Sequence, residues 1–424
     1  MFKFMPRIYD NLLEFKLKSS GAVSIKGPKW CGKSTTARQF AKSCIYMQDT
    51  ASLNQNISLA KINPSKFLEG DTPKLIVEWQ VIPFIWDAIR FEVDKRGKFN
   101  QFILTGSSVP PAADKIMHSG IGRITNLVMR PMSLYESNDS TGEVSLTELF
   151  KNPSRIEGTS TKKLADLFFL ICRGGWPKAI NQEPEIALEQ SVQFYEMLIQ
   201  SDMSKVDGVA RTPERVDSLL RSLSRNIATA STITNIRRDM EHHSEPAVLN
   251  VDTISSYIDA LKKLYVIEDL QAWNPNLRSN TAIRTTPTRY FVDPSIATAA
   301  LQIGPNDLIN DLRTAGLFFE AMCIRDLRIY AESLKGTVYH YRDGNGLEID
   351  SVVHLRNGYY GLIEIKLFDS DCIDEGAKNL KKLESLINTE TMKRPSFLMV
   401  LTGTECAYKR EDGVFVVPIT CLRN

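Results

Sequence analysis

A chain of 424 residues, 43% hydrophobic and 24% charged, is too long for a single core and too apolar for a disordered polymer, so two to four domains are expected. A formal net charge of +2 excludes a generally basic nucleic-acid coat and leaves only a local basic face for such a partner. No apolar run reaches the ~20 residues that cross a bilayer, and seven cysteines without close metal-type spacing or a secretory leader suit a reducing cytoplasm.

In chain order, residues 21–26 predict a short buried strand and residues 35–42 a helix. Between them stands Gly27-Pro28-Lys29-Trp30-Cys31-Gly32-Lys33-Ser34, followed by Thr35. Two glycines four residues apart, then Lys and a hydroxyl residue, make the pattern of a phosphate-binding loop, and strand before and helix after supply its context. The glycines let the backbone approach closely. Amides of the loop form an anion-binding concavity, and the helix points its positive dipole end at the same place. Lys33 is expected to reach the β- and γ-phosphates, Ser34 to offer its hydroxyl to Mg2+, and Thr35 to neighbour the α-phosphate. Cys31 reads as a small space-filler. The expected ligands are a nucleoside triphosphate, taken as ATP, and Mg2+; no base-reading motif separates ATP from GTP.

Further strands are predicted at residues 44–48, 74–79 and 101–105, alternating with helices, which argues for a parallel sheet covered on both faces. In many P-loop ATPases the third of these strands ends in an Asp for the Mg2+ shell and a Glu that polarises the attacking water. Here the pair is Val77-Glu78, so Val77 contributes nothing to the metal and Glu78 is the available base. Four segments together, Gly27 to Ser34, Glu78-Trp79-Gln80, Leu104-Thr105-Gly106-Ser107-Ser108 and Pro131-Met132-Ser133-Leu134-Tyr135-Glu136, resemble prokaryotic AAA+-type ATPases whose C-terminal half is a family of unknown function. The resemblance extends over nearly the whole chain. It implies a γ-phosphate sensor at the tip of the fourth strand, matched by Thr105 or Ser107, with a plain structural turn as the alternative. Members carry Asp-Glu where this chain has Val77-Glu78, a departure that bears on Mg2+ affinity and turnover more than on nucleotide binding. Arg123 and Arg130 flank the next strand. Arg123 is the preferred arginine finger, acting in this chain or from a neighbour in a self-associated assembly, against a solvated arginine at a strand end.

Residues 137–160, rich in Ser, Thr, Asn and Gly, read as an elaborated connection. An apolar helix over 164–172 stops at Arg173-Gly174-Gly175-Trp176-Pro177, and an amphipathic helix is expected over 186–206. A helical lid fits this stretch, and the resemblance implies the same. Helices over 215–228, 231–240 and 251–264, capped at Thr232 or Ser231 and at Asp252, precede strands at 265–273 and 289–293. Three helices and a two-stranded wing describe a winged helix. From 211 to 239 six arginines oppose three acidic residues, and Arg278 and Arg284 stand in the wing. DNA binding and simple interdomain packing remain two open readings.

From residue 316 a new unit is expected: a helix over 316–331, then strands at 337–341, 348–355 and 360–366, with a turn at Asp343 to Gly346. Glu320 lies on the helix, Asp350 on the second strand, and Glu364 and Lys366 on one face of the third, since side chains alternate along a strand. Carboxylates beside an amine can hold Mg2+ against a phosphodiester while the amine orients the attacking water. Asp350, Glu364 and Lys366, with 13 residues between the first two, resemble the core of the PD-(D/E)XK nuclease superfamily, and Glu320 matches its helix carboxylate. A surface salt bridge between Glu364 and Lys366 is the plainer alternative.

The expected fold class is therefore α/β, with a P-loop NTPase parallel sheet followed by a winged-helix domain and an α/β restriction-endonuclease-like domain. The expected segments are an AAA+-type core over 1–140, a helical lid over 141–208, the winged helix over 209–303 and the nuclease-like domain over 304–424. The function this predicts is an ATP-binding switch, with Glu78, Arg123 and Ser107 as its catalytic groups, controlling a Mg2+-dependent nuclease-like site that acts on DNA or RNA. The alternative is a nucleotide-dependent regulatory or DNA/protein-binding module with little hydrolysis.

Overall fold

Five short strands, β1 (Ala22–Lys26), β2 (Ser43–Tyr46), β3 (Lys74–Val77), β4 (Phe102–Thr105) and β5 (Ile124–Val128), form one parallel sheet in the order β2-β3-β4-β1-β5. Runs such as Leu75-Ile76-Val77 and Phe102-Ile103-Leu104 are buried throughout, as strands covered on both faces must be. β3 stops two residues short of the expected end because Glu78 turns into the left-handed region (φ 57°, ψ 47°) and Trp79–Val81 form a 3-10 turn. The computed structural model describes residues 4–106, 120–151, 156–206, 208–274, 286–390 and 392–424. Ser107, Ser108, Arg278 and Arg284 lie outside them.

The chain divides into two units, and each is drawn from separated stretches. The first takes Met1–Pro131, Met197–Pro213 and Tyr257–Val266; the second takes Met132–Glu196, Glu214–Ser256 and Ile267–Asn424. In the first, Arg211 binds two of these stretches together: it is buried, its guanidinium lies 5.2 Å from the centre of the Tyr257 ring, and it donates to Met203 O at 2.9 Å. The long amphipathic helix expected over 186–206 is interrupted. It runs over Pro184–Met197 and then passes through a π turn, Leu198–Asp202, which is a common mark of a functional position.

The second unit holds the remaining strands: β6 (Val144–Ser145), β7 (Gly158–Thr159), β8 (Ile267–Leu270), β9 (Thr288–Phe291), β10 (Gly336–Arg342), β11 (Glu348–Leu355), β12 (Tyr360–Lys366), β13 (Phe397–Thr402), β14 (Cys406–Lys409), β15 (Phe415–Pro418) and β16 (Leu422–Arg423). Seven of them form a sheet in the order β10-β11-β12-β13-β15-β14-β7. The helix Leu312–Ser333, capped by the Asp311 side chain on Thr314 N, leads into β10, β11 and β12, which are antiparallel. The helix Ser370–Leu386 then crosses to β13, which lies parallel to β12. Trp273, Tyr360, Leu362, Leu380, Val400 and Val416 centre the core of this sheet and its helix.

Three helices, Pro213–Arg225, Ile233–His242 and Val251–Lys263, precede the antiparallel pair β8 and β9. Thr232 caps the second helix as expected, but the third is capped by Asn250, whose side chain accepts Thr253 N at 2.8 Å. The expected positive charge of this region is largely consumed internally. Arg225 pairs with Asp239 at 2.7 Å and Glu245 at 2.8 Å, Arg221 with Glu245 at 3.4 Å, and Arg237 with Glu241 at 3.0 Å, while Arg211 is buried.

A fully buried charge group organises the second unit. Arg325, on the helix Leu312–Ser333, donates to Asp293 Oδ2 at 2.9 Å and to Asp326 Oδ1 at 2.8 Å. Asp326 also accepts Leu134 N at 2.8 Å, and Asp293 accepts Gly175 N at 2.9 Å. Thus the Pro131 to Glu136 segment and the Gly174-Gly175-Trp176 stop meet on one ion triad.

Candidate nucleotide-binding site and a second acidic site

The loop after β1 folds as its glycines require. Gly27 takes φ 141°, and a Cβ there would lie 2.0 Å from Met129 O, so only glycine permits the exit of β5 to pass this close. Gly32 is left-handed (φ 100°) and begins the helix Lys33–Phe40. The Lys33 ammonium, buried, donates to Gly27 O at 2.9 Å and Pro28 O at 2.6 Å, inside the turn where phosphate oxygens would compete for it. Cys31 is fully buried with its thiol against Met129 O at 3.5 Å, a packing role. Trp30 is left-handed (φ 64°), and Thr35 is exposed on the helix. Arg7, which carries no recognisable signal in the sequence, clamps this region: it donates to Cys31 O at 2.8 Å and Arg130 O at 2.9 Å.

The strand order places β4 between β1 and β3, and its tip therefore serves both. Ser34 Oγ lies 3.3 Å from Thr105 Oγ1, while Glu78 N donates to Thr105 O at 2.7 Å. Of the two sensor candidates, Thr105 is thus brought to the loop; Ser107 is not among the described residues. Val77 is in register with Thr105 and its side chain is buried, leaving Glu78 as the carboxylate at this edge. Gln80 donates to Glu78 Oε2, and a Cβ on Gly106 would sit 2.3 Å from Gln80 Oε1. Glu78-Trp79-Gln80 and Thr105-Gly106 therefore form one packed corner.

Arg123 does not join it. Its carbonyl accepts Ala22 N at 3.0 Å at the start of β1, the end of the sheet opposite the loop, and its guanidinium pairs with Asp94 at 2.8 Å. In its own chain Arg123 cannot reach the phosphates. Arg130 follows β5 on the loop side, where its carbonyl accepts from Arg7.

The second site lies where β11 and β12 part. Their last paired residues are Ser351 and Ile363; one step beyond, Asp350 Oδ2 takes Ile365 N at 2.7 Å, a ladder bond made by a side chain. Lys366 Nζ is 2.7 Å from Glu364 Oε2 and 3.6 Å from Asp350 Oδ2. Burial, and then the Asp350 charge, push the Glu364 carboxyl well above its ordinary value. Burial pulls the Lys366 ammonium down, but Asp350 and Glu364 outweigh it and leave it raised. Glu320 faces Tyr290, whose hydroxyl donates to it at 2.5 Å; burial, then Asp350, raise it to about 8. Asp350, Glu364 and Lys366 thus converge, Glu320 is bound to Tyr290, and among the described residues no group of three or more His, Cys, Asp or Glu stands ready to hold a metal ion. Asp350 and Glu364, two carboxylates beside one another with the second raised by burial and by the first, nonetheless fit a hard divalent cation, whose charge would favour the ionised Glu364.

The parallel sheet with this loop at the C-terminal end of β1 defines a P-loop nucleotide-binding fold. Residues 19–138 match the AAA domain family. Residues 164–307 match a domain of unknown function (DUF8612), and residues 315–422 match another (DUF4143). No curated protein matches the chain by sequence. Among solved structures, the ORC2 protein of Aeropyrum pernix aligns at 14% identity over 62% of this chain and 84% of its own, with a TM-score of 0.28. A signal-transduction ATPase with numerous domains and a tetratricopeptide repeat sensor from Pyrococcus horikoshii aligns at 13% identity over 78% of this chain and 50% of its own, with a TM-score of 0.25. The helicase domain of Hef from Pyrococcus furiosus aligns at 11% identity over 98% and 94%, with a TM-score of 0.22. All three superpose weakly. No helix among the described residues is long and apolar enough to cross a membrane.

Proposed function

We propose that the chain is an ATP-binding switch whose nucleotide state governs a Mg2+-dependent nuclease-like site acting on nucleic acid. The observation that carries the reading is the convergence of Asp350, Glu364 and Lys366 where β11 and β12 part, in a chain that also carries a phosphate loop. The surrounding order of helix, three antiparallel strands, helix and parallel strand suits the nuclease-like reading. On the nucleotide side, Ser34 would hold Mg2+, Lys33 the β- and γ-phosphates, Thr105 would sense the γ-phosphate and Glu78 would orient the water. On the other side, Asp350 and Glu364 would hold Mg2+, which would supply Lewis-acid stabilisation of a phosphodiester, while Lys366 orients the attacking water. The three helices with β8 and β9 would serve as a winged helix; with Arg221, Arg225 and Arg237 internally paired, packing is favoured over DNA reading there. Domain limits at 140, 208 and 303 belong to the same proposal.

The test is cleavage of DNA and RNA by the purified chain with Mg2+ and ATP, against Lys366→Ala and Lys33→Ala. Cleavage lost in both variants is expected; equal behaviour of wild type and Lys366→Ala would sink the nuclease reading. Val77 supports a second reading, a nucleotide-dependent regulatory module with slow turnover. There Val77→Asp is expected to raise Mg2+-dependent hydrolysis, and an unchanged rate would mean Val77 does not limit it. An arginine finger role for Arg123 requires a second copy of the chain, so ATP-dependent self-association measured by light scattering belongs to this proposal; a chain that stays monomeric with ATP excludes it.

A further inference from the structure

The phosphate loop carries two lysines that face different partners. Lys33 turns inward on the loop carbonyls, while Lys29 Nζ lies 2.6 Å from Asp202 Oδ1. Asp202 is only 8% exposed, and it closes the π turn Leu198–Asp202. Ser201 Oγ lies 3.2 Å from the same carboxylate oxygen and 3.0 Å from Met197 O, the two acceptors its one proton has. A nearly buried carboxylate, on an irregular turn, is therefore committed to a lysine two residues after Gly27. None of these features follows from the loop pattern itself, which specifies no residue at position 29 and nothing near position 202.

We propose that Asp202 is a positioning residue for the phosphate loop: it holds the Lys29 ammonium, and a bound triphosphate competes with it for that cation. The inference rests on the nucleotide-binding reading. A triphosphate brings several negative charges to the loop and competes with one carboxylate for the same cation. Once Lys29 turns to the phosphates, Asp202 is a buried charge without its ammonium, a costly state that the π turn can relieve only by opening Asp202 to water. The stretch Met197–Pro213 would thereby report the terminal phosphate. ADP, with less charge, draws Lys29 less and leaves the turn closer to its resting form.

Binding of a non-hydrolysable ATP analogue and of ADP, each with Mg2+, is measured by calorimetry on the full chain, its Asp202→Asn, Lys29→Ala and double variants, and Lys33→Ala. Asp202→Asn frees Lys29 and is expected to tighten the triphosphate about fivefold, and ADP by less. Lys29→Ala is expected to erase that gain, so the double variant binds as Lys29→Ala does. An Asp202→Asn chain whose preference for triphosphate over ADP is unchanged would overturn the proposal. Should that variant fail to fold, hydrogen exchange in the wild type decides: faster exchange over residues 198–205 with the triphosphate than with ADP supports it, and equal exchange overturns it. Absence of any binding in the wild type overturns the nucleotide reading itself. Wild-type binding that Lys33→Ala abolishes, with Asp202→Asn inert, overturns only the role of Asp202.

Discussion

At the scale of single residues, burial decides which charges are structural and which are available. Arg325 has no alternative to its two aspartates, because the whole group is out of water. Arg325→Met would leave Asp293 and Asp326 unpaired in the core and is expected to cost about 3 to 5 kcal/mol, measured by urea unfolding. Glu320 is the opposite case, since its charge is merely disfavoured. Its carboxyl is raised from an ordinary 4.5 to about 8, chiefly by burial and then by Asp350. The folded chain therefore holds a proton that the unfolded chain has released, and stability present below pH 4.5 declines as pH rises, the loss being complete once pH passes about 8. Unfolding curves between pH 5 and 9 are expected to follow that fall in the wild type and to fall less steeply in Glu320→Gln, the remaining slope belonging to Glu364 and Asp326, whose carboxyls burial also raises. A Gln variant that keeps the same slope would place the titrating group elsewhere.

At the scale of elements, the phosphate loop and its neighbours work through close backbone approach. Gly106→Ala places a methyl group 2.3 Å from Gln80 Oε1, so the flexible Gln80 side chain must swing away. It is expected to displace Gln80 from Glu78 and slow hydrolysis more than it weakens nucleotide binding, a contrast read by comparing turnover with affinity. This corner also explains what could be read from the chain and what could not. The loop from Gly27 to Ser34 was legible because its chemistry demands fixed residues at fixed spacing. The strands β10, β11 and β12 and the helix before them were legible because each alternates or repeats on its own. The π turn was not, since Ile186 to Val206 keeps an amphipathic period through it, and only the pairing of Lys29 with Asp202 marks the break. Nor was the end of β3, where a left-handed Glu78 follows an unbroken apolar run. Asn250 displaced Asp252 as a cap because both precede Thr253 within a helical turn, and the sequence alone does not say which side chain reaches the amide. Arg123 failed as a finger for its own loop because it precedes β5, and in a parallel sheet the residue before a strand lies at the end away from the loop that follows β1.

At the scale of the whole molecule, the stretch that matches the AAA domain is not the whole of the first unit. Residues 197–213 and 257–266 complete it, with Arg211 stacked on Tyr257 and Asp202 on Lys29. A fragment of residues 1–140, which contains the full match over 19–138, is accordingly expected to melt well below the intact chain and to bind ATP poorly. Calorimetric melting with and without nucleotide checks this; a fragment as stable as the intact chain would mean the later stretches contribute little. The discontinuity has a further consequence for how the chain is made. A polypeptide emerges from the ribosome from its N-terminus, and the first unit lacks its last ten residues until position 266 has left the exit tunnel. Its sheet, already translated by residue 128, must wait through the synthesis of more than a hundred further residues before Tyr257 can close over Arg211. During that interval the first unit lacks the packing that residues 257–266 add, so nascent chains stalled before residue 257 are the ones that chaperones and proteases would meet.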